Sequence, residues 1–180
     1  MAIKERPFDL LEGRGMAAAL DALDRKILDA LQQDASRSLE ELARAVGASK
    51  TPVWNRIRKL KAAGVIRREV VVLDPDALGL EACFFVLIRT AEHDAGWLAR
   101  FQQAILNRPE VLEAHRLAGD IDYILKVRVT NPRAYDDFYR ALIKEVSIFN
   151  VTSTLSMEEM KNTTALPLPV VAEKTGPDRA

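Results

Sequence analysis

The 180-residue sequence holds one cysteine, two histidines and no net charge, with 26 Lys and Arg balanced by 26 Asp and Glu. A lone Cys83 cannot form an internal disulfide, and it excludes a cysteine-based zinc finger. His93 and His115 are far apart, with no second His or Cys at ligand spacing, so no metal site is expected. No apolar run approaches the roughly 18 residues that a membrane helix needs. The N-terminal MAIKERPFDLLEGRG mixes both charge signs without an apolar stretch, so no secretory leader is expected and the cytoplasm is the expected address. There is no Walker loop and no G-x-G-x-x-G. Cys83, within Ala-Cys-Phe-Phe-Val, reads as a small core residue. Asp120 and Asp122 sit in an open turn that cannot supply the desolvation an acid–base pair requires. Neither an enzyme nor a bound cofactor is expected.

What remains is a chain that is 48% apolar, enough for one ordinary domain or two small ones. Its neutrality hides a division. Residues 1–73 carry 14 basic and 10 acidic side chains, whereas residues 74–180 carry 12 and 16. Between Glu41 and Glu69 lie 27 residues with eight basic side chains and no acidic one: Arg44, Lys50, Arg56, Arg58, Lys59, Lys61, Arg67 and Arg68. Gathered on one face, such a run is a footprint for a polyanion; spread out, it is an ordinary solvated surface.

The pattern of elements favours the first reading. Residues 1–18 read as a flexible arm. Asp21 caps a helix reaching about Asp34, with Leu23, Ile27, Leu28 and Leu31 on one face. Ser38-Leu39-Glu40-Glu41 is a capping box opening a second helix that Gly47 stops. Ser49 caps a third, Lys50–Ala63, with Pro52 tolerated in its first turn. The three-residue Gly47-Ala48-Ser49 connection is a helix-turn-helix spacing. Val65-Ile66 and Val70–Leu73 are expected as the two strands of a wing, completing a winged helix-turn-helix domain over residues 19–73. A hinge at 74–80 follows. Residues 81–162 then read β-α-β-β-α-β, the ferredoxin-like split unit of an α+β domain: strands Ala82–Arg89, Val111–Ala118, Ile121–Val129 and Asn150–Glu159, with helices Ala95–Leu106 and Pro132–Val146. The tail 163–180 is expected to be a short arm and then disorder.

On the third helix Val53, Ile57 and Leu60 share one face and must pack inward. Thr51, Asn55, Arg58 and Lys59 point the other way. Asn can pair with adenine, Arg with guanine, and the Thr methyl can meet that of thymine. Ser49, Lys50 and Thr51, at the helix N-terminus, are placed to sit deep in a groove. Arg56, Lys61, Arg67 and Arg68 better suit phosphates. Trp54 lies at the border, as core rim or as a stacking residue beside the DNA backbone. The chemistry points to double-stranded DNA; a winged helix used only for protein contacts is the competing reading.

The run LDALDRKILDALQQDASRSLEELARAVGASKTPVWNRIRKLKAAGVI resembles the N-terminal half of the leucine-responsive/AsnC ("feast/famine") transcriptional regulators. HRLAGDIDYILKVRV resembles that family's effector-domain signature. The ending VTSTLSMEEMKNTTALPL, with TPVW, is most similar to a branch that includes cysteine-responsive activators, although that branch usually has Cys where Val53 stands. The resemblance implies homodimers paired through the C-terminal sheets, assembly into octamers or other multimers, and a free amino acid, cysteine or another small one, bound in a crevice between C-terminal domains. It places effector contacts at Gly119, Asp120, Asp122 and Tyr123, and at Ser153, Thr154, Leu155 and Ser156. The residues alone leave that loop open between two roles: a turn whose Asp side chains cap amides, or a cradle whose carboxylate holds a ligand ammonium. They also leave open a nucleoid-organising protein that wraps DNA with little sequence preference.

Overall fold

The computed structural model describes residues 19–92 and 94–168. The described residues divide into two compact units, 19–71 with 163–168, and 72–162. The expected arm 1–18, His93 and the tail beyond Leu168 lie outside the described residues.

The first unit is built from α1 (Ala22–Gln33), α2 (Leu39–Val46) and α3 (Lys50–Ala62). Two capping boxes start the first two helices. The Asp24 amide donates to Asp21 at 2.8 Å while the Asp24 carboxylate accepts from the Asp21 amide at 3.2 Å. Ser38 and Glu41 repeat the exchange at 3.2 and 2.8 Å. Gly47 ends α2 at φ 70, a left-handed conformation that favours glycine. Ile27, Leu28, Leu42, Val46, Val53 and Leu60 form the buried centre. Ser49 occupies the N-cap position of α3, yet its hydroxyl makes no capping hydrogen bond, contrary to the expectation.

The wing does not form. Val65 and Ile66 pack half-buried against the three-helix core, and both their amides donate to the Leu60 carbonyl, at 3.0 and 3.2 Å. Those amides close the end of α3 and are not available to a ladder, so residues 67–73 run without strand pairing. The start of the tail, residues 163–168, belongs to the first unit. Leu166 hydrogen-bonds to Gln32 on α1, and Leu168 packs on the same core.

The second unit contains β1 (Ala82–Arg89), α4 (Ala95–Leu106), β2 (Val111–Arg116), β3 (Tyr123–Val129), α5 (Pro132–Glu145) and β4 (Asn150–Leu155). The four strands form one antiparallel sheet in the order β2-β3-β1-β4. Alternate residues Phe84, Val86 and Ile88 of β1 and Leu125, Val127 and Val129 of β3 meet Trp97, Phe101 and Ala104 of α4 and Tyr135, Phe138 and Leu142 of α5. This is the expected helix layer on one face of the sheet. Phe84 stacks on Tyr135 with ring centres 3.9 Å apart.

Three boundaries differ from the sequence reading for reasons of pairing. β4 stops at Leu155, because β1 begins at Ala82 and its last partner for the departing chain is Cys83, whose carbonyl accepts from Ser156 at 2.8 Å. β2 stops at Arg116 and β3 starts at Tyr123, because the intervening backbone turns to bond the end of β1. The segment 74–80 is an ordered turn: the Leu80 amide donates to the Pro75 carbonyl, and Arg128 of β3 holds the Leu80 carbonyl and Asp76.

Candidate DNA-recognition helix and effector loop

Burial divides α3 as its periodicity requires. Val53 and Leu60 are buried and Ile57 is half-buried, while Thr51, Trp54, Asn55, Arg58 and Lys59 are exposed. Thr51, Asn55 and Arg58, spaced by four and three residues, line one solvent-facing strip. Trp54 is 47% exposed and is not core rim: the Arg58 guanidinium lies 4.6 Å from the centre of its ring, a cation–π contact on the exposed face.

The other expected DNA residues are held differently. Lys50 pairs with Glu40 at 2.9 Å, and Lys61 with Glu69 at 2.8 Å; both are surface pairs. Arg67 and Arg68 are exposed on the unpaired segment after α3. Arg56 is half-buried and contacts two carboxylates of α1, Asp21 and the buried Asp24. The hydrogen bond that Arg56 donates to Asp21 and the charge of Asp24 raise the Arg56 pKa above its ordinary value.

In the second unit the loop after β2 is clamped to the end of β1. Leu117 donates to the Asp122 carbonyl at 2.8 Å, and the Asp122 amide donates to the Ile88 carbonyl at 3.0 Å. The Asp122 carboxylate accepts from the Thr90 amide at 2.8 Å, and Arg89 Nε donates to the Asp120 carbonyl at 2.6 Å. Gly119 has φ 138, open to glycine and strained for other residues. Asp120 is exposed. Tyr123 turns toward the helices, its ring centre 4.8 Å from that of Phe101 and 5.8 Å from that of Trp97; burial pushes its phenol pKa up, with Arg116 opposing.

The second expected set does not join this loop within one chain. Ser153 faces the helix layer, where its hydroxyl bonds that of Tyr135 on α5. Thr154 pairs with Phe85 and Leu155 with Phe84, so Ser153–Ser156 sit toward the start of β1 and the loop sits at its end. From Cys83 to Ile88 is roughly 17 Å at the rise of an extended strand.

Arg89 and Thr90 were not singled out in the sequence; a lone Arg closing the apolar run of β1 was the available signal. Asp21 and Asp24 read only as helix-start residues, with nothing local to mark them as partners of Arg56. Among the described residues no group of His, Cys, Asp and Glu is arranged to hold a metal ion, and no helix is long and apolar enough to cross a membrane.

Comparison with known proteins decides what this arrangement is. Residues 20–61 match the model of the AsnC-type helix-turn-helix domain, and residues 83–166 match that of the Lrp/AsnC ligand binding domain. The chain belongs to the Lrp/AsnC family of transcriptional regulators. It is 46% identical over 159 residues to the glutamate uptake regulatory protein of Zymomonas mobilis, covering 88% of this chain and 97% of that protein. It is 43% identical over 150 residues to the DNA-binding transcriptional activator DecR of Escherichia coli, covering 83% and 99%. The structure of the transcriptional regulator NMB0573 from Neisseria meningitidis, solved as an L-Met complex, superposes with a TM-score of 0.79 at 29% identity, covering 82% of this chain and 96% of that one. In this chain the two family matches fall on the N-terminal helix-turn-helix and on the C-terminal four-stranded antiparallel sheet with its helices.

Proposed function

We propose that this Lrp/AsnC protein regulates transcription by inserting α3 into the major groove of double-stranded DNA, and that a free amino acid adjusts its hold. The observation that carries the DNA half is the division of α3, with Val53 and Leu60 buried and Thr51, Asn55 and Arg58 in one exposed strip. Asn and Arg supply bidentate contacts to adenine and guanine. Among the described residues Lys59, Arg67 and Arg68 are exposed and form no ion pair, which suits them to phosphates, and the Ser49 hydroxyl, which makes no capping bond, adds a donor at the N-terminus of the helix. Lys50 and Lys61 exchange their exposed carboxylate partners for phosphates at little cost, because surface ion pairs contribute about 0–1 kcal/mol.

The effector half is supported by the loop. An exposed Asp120 carboxylate and the Arg89 guanidinium, tethered to the same turn, offer opposite charges to the two ends of a zwitterion. Since Ser153–Ser156 lie at the other end of β1, a ligand touching both sets takes the second from another copy of the chain. That geometry supports a homodimer; assembly of dimers into an octamer or another higher multimer is part of the same proposal. The L-Met complex of the Neisseria relative supports an amino-acid ligand, and a small amino acid such as cysteine is the class proposed here. The ligand changes DNA occupancy only by binding two assemblies with different affinity. With this activity the protein resides on the nucleoid.

Selection from a pool of random duplexes tests the reading. Enrichment of a pseudo-palindrome, with half-sites about one helical turn apart, supports it. An unenriched pool, despite tight binding, assigns the protein instead to DNA wrapping without sequence preference.

A further inference from the structure

We infer that Arg56, on the recognition helix itself, is a positioning residue that sets the angle at which α3 meets DNA, and that it makes no phosphate contact. The inference rests on the reading of α3 as the DNA-reading helix. Arg56 follows Val53 by three residues and precedes Leu60 by four, so it rises from the rim of the packed face, beside α1. There its guanidinium meets both acidic members of the capping box that starts α1. Nη1 lies 3.2 Å from both carboxylate oxygens of Asp24, and it also contacts the Asp21 carboxylate.

Asp24 is 4% exposed, and its carboxylate already accepts from the Asp21 amide. A carboxylate so far from water needs its cation, and a guanidinium drawn away toward a phosphate would leave that charge unpaired. Arg56 therefore stays on α1 when DNA arrives. Three groups, the start of α1, a buried carboxylate and the middle of α3, are fixed together by one side chain. The neighbours Asn55 and Arg58 inherit their direction from that contact, and a misdirected helix loses base contacts before it loses general attraction to the phosphates.

The test compares Arg56→Gln, Arg56→Lys and Asp24→Asn with the parent chain, each shown folded by circular dichroism at the temperature used. Binding to the selected site and to a scrambled duplex is measured across a salt series. A positioning role predicts that Arg56→Gln lowers the specific-to-nonspecific ratio by about tenfold or more, with the salt slope of nonspecific binding unchanged. Arg56→Lys keeps the charge on a shorter side chain without the planar guanidinium, so its ratio falls between those of the parent and Arg56→Gln, and it decides the matter if Arg56→Gln does not fold. Asp24→Asn gives the contrast in sign. Removing a negative charge near DNA strengthens general attraction, yet here it weakens specific binding. A salt slope reduced by about one for Arg56→Gln, with sequence preference intact and Asp24→Asn binding more tightly, would overturn the inference. Failure of the DNA-reading assignment itself looks different: the parent chain shows no preference between the two duplexes, while thermal unfolding still reports coupling between Arg56 and Asp24.

Discussion

Gln32 and Leu166, 134 residues apart, are joined by two hydrogen bonds: the Gln32 amide group donates to the Leu166 carbonyl at 3.2 Å and accepts from the Leu166 amide at 2.6 Å. A side-chain amide has a donor and an acceptor at one end, and here it matches both groups of one peptide residue. Two residues on, Leu168 packs against the helix-turn-helix core. The helix-turn-helix unit is thus assembled from two pieces of chain that flank the second unit, Val72–Asn162, in sequence.

Cutting the chain after Asn162 removes that second piece. Truncation there, and Leu168→Ala in the intact chain, are expected to lower the stability of the helix-turn-helix unit, the point substitution by about 1–2 kcal/mol because Leu168 is only half-buried. Urea unfolding followed through the helical signal measures it. Unchanged midpoints in both variants would show that the tail contributes nothing.

The Trp54–Arg58 contact holds a flexible guanidinium over a ring before DNA is met. Arg58→Ala is expected to weaken specific binding by about 1–3 kcal/mol if it reads a base. Trp54→Ala leaves the guanidinium in place but free, and is expected to cost less, about 0.5–1 kcal/mol. Anisotropy titrations at matched salt separate the two. Equal losses would mean that Trp54 itself touches DNA.

Acid should weaken both units. Hydrogen bonds hold the pKa of Asp21 (from the Asp24 amide), Asp34 and Glu41 below the usual carboxylate range in the first unit; the Trp97 amide does so for Asp94 and Arg108 for Glu145 in the second. Each folded pKa is depressed, so its contribution is complete above the unfolded value and is lost as pH falls through the folded one. Stability is expected to be flat from neutrality to about pH 5 and to decline below about pH 4. A decline beginning near pH 6 would point to another group.

Asp122→Ala removes the acceptor of the Thr90 amide and unties the loop from β1. A cost of about 1–3 kcal/mol to the second unit is expected, together with loss of the amino-acid response and retention of DNA binding. Gly119→Ala meets no neighbouring atom, so its cost of about 1–3 kcal/mol comes from its φ alone. A normal ligand titration in Asp122→Ala would remove the loop from the effector site.

The elements that local chemistry controls were legible in advance. The Ser38–Glu41 exchange, the stop at Gly47, the inward face of Val53 and Leu60, and the alternation in β1 and β3 each depend on residues a few positions apart. What escaped depends on distant partners. Val65 and Ile66 look like a strand until the Leu60 carbonyl takes their amides. Ser49 sits where caps sit, but its hydroxyl makes no capping hydrogen bond. Arg56 belongs to an acid-free run in sequence and to two acids in space, because α1 lies across from it in the fold. The residues expected at an effector site divide similarly: Gly119, Asp120, Asp122 and Tyr123 were marked by the resemblance, but their separation from Ser153–Ser156 along β1 appears only once the strand register is known.

The most direct test of a ligand-responsive, sequence-reading regulator is one competition experiment. The full chain is titrated onto its selected duplex and onto a scrambled duplex at one salt concentration, alone and with each of the twenty amino acids, reduced cysteine included. The account predicts a preference of about a thousandfold or more for the selected duplex, and a shift in that preference with one small amino acid that Asp122→Ala abolishes. Equal affinity for both duplexes, unmoved by any amino acid, would contradict it.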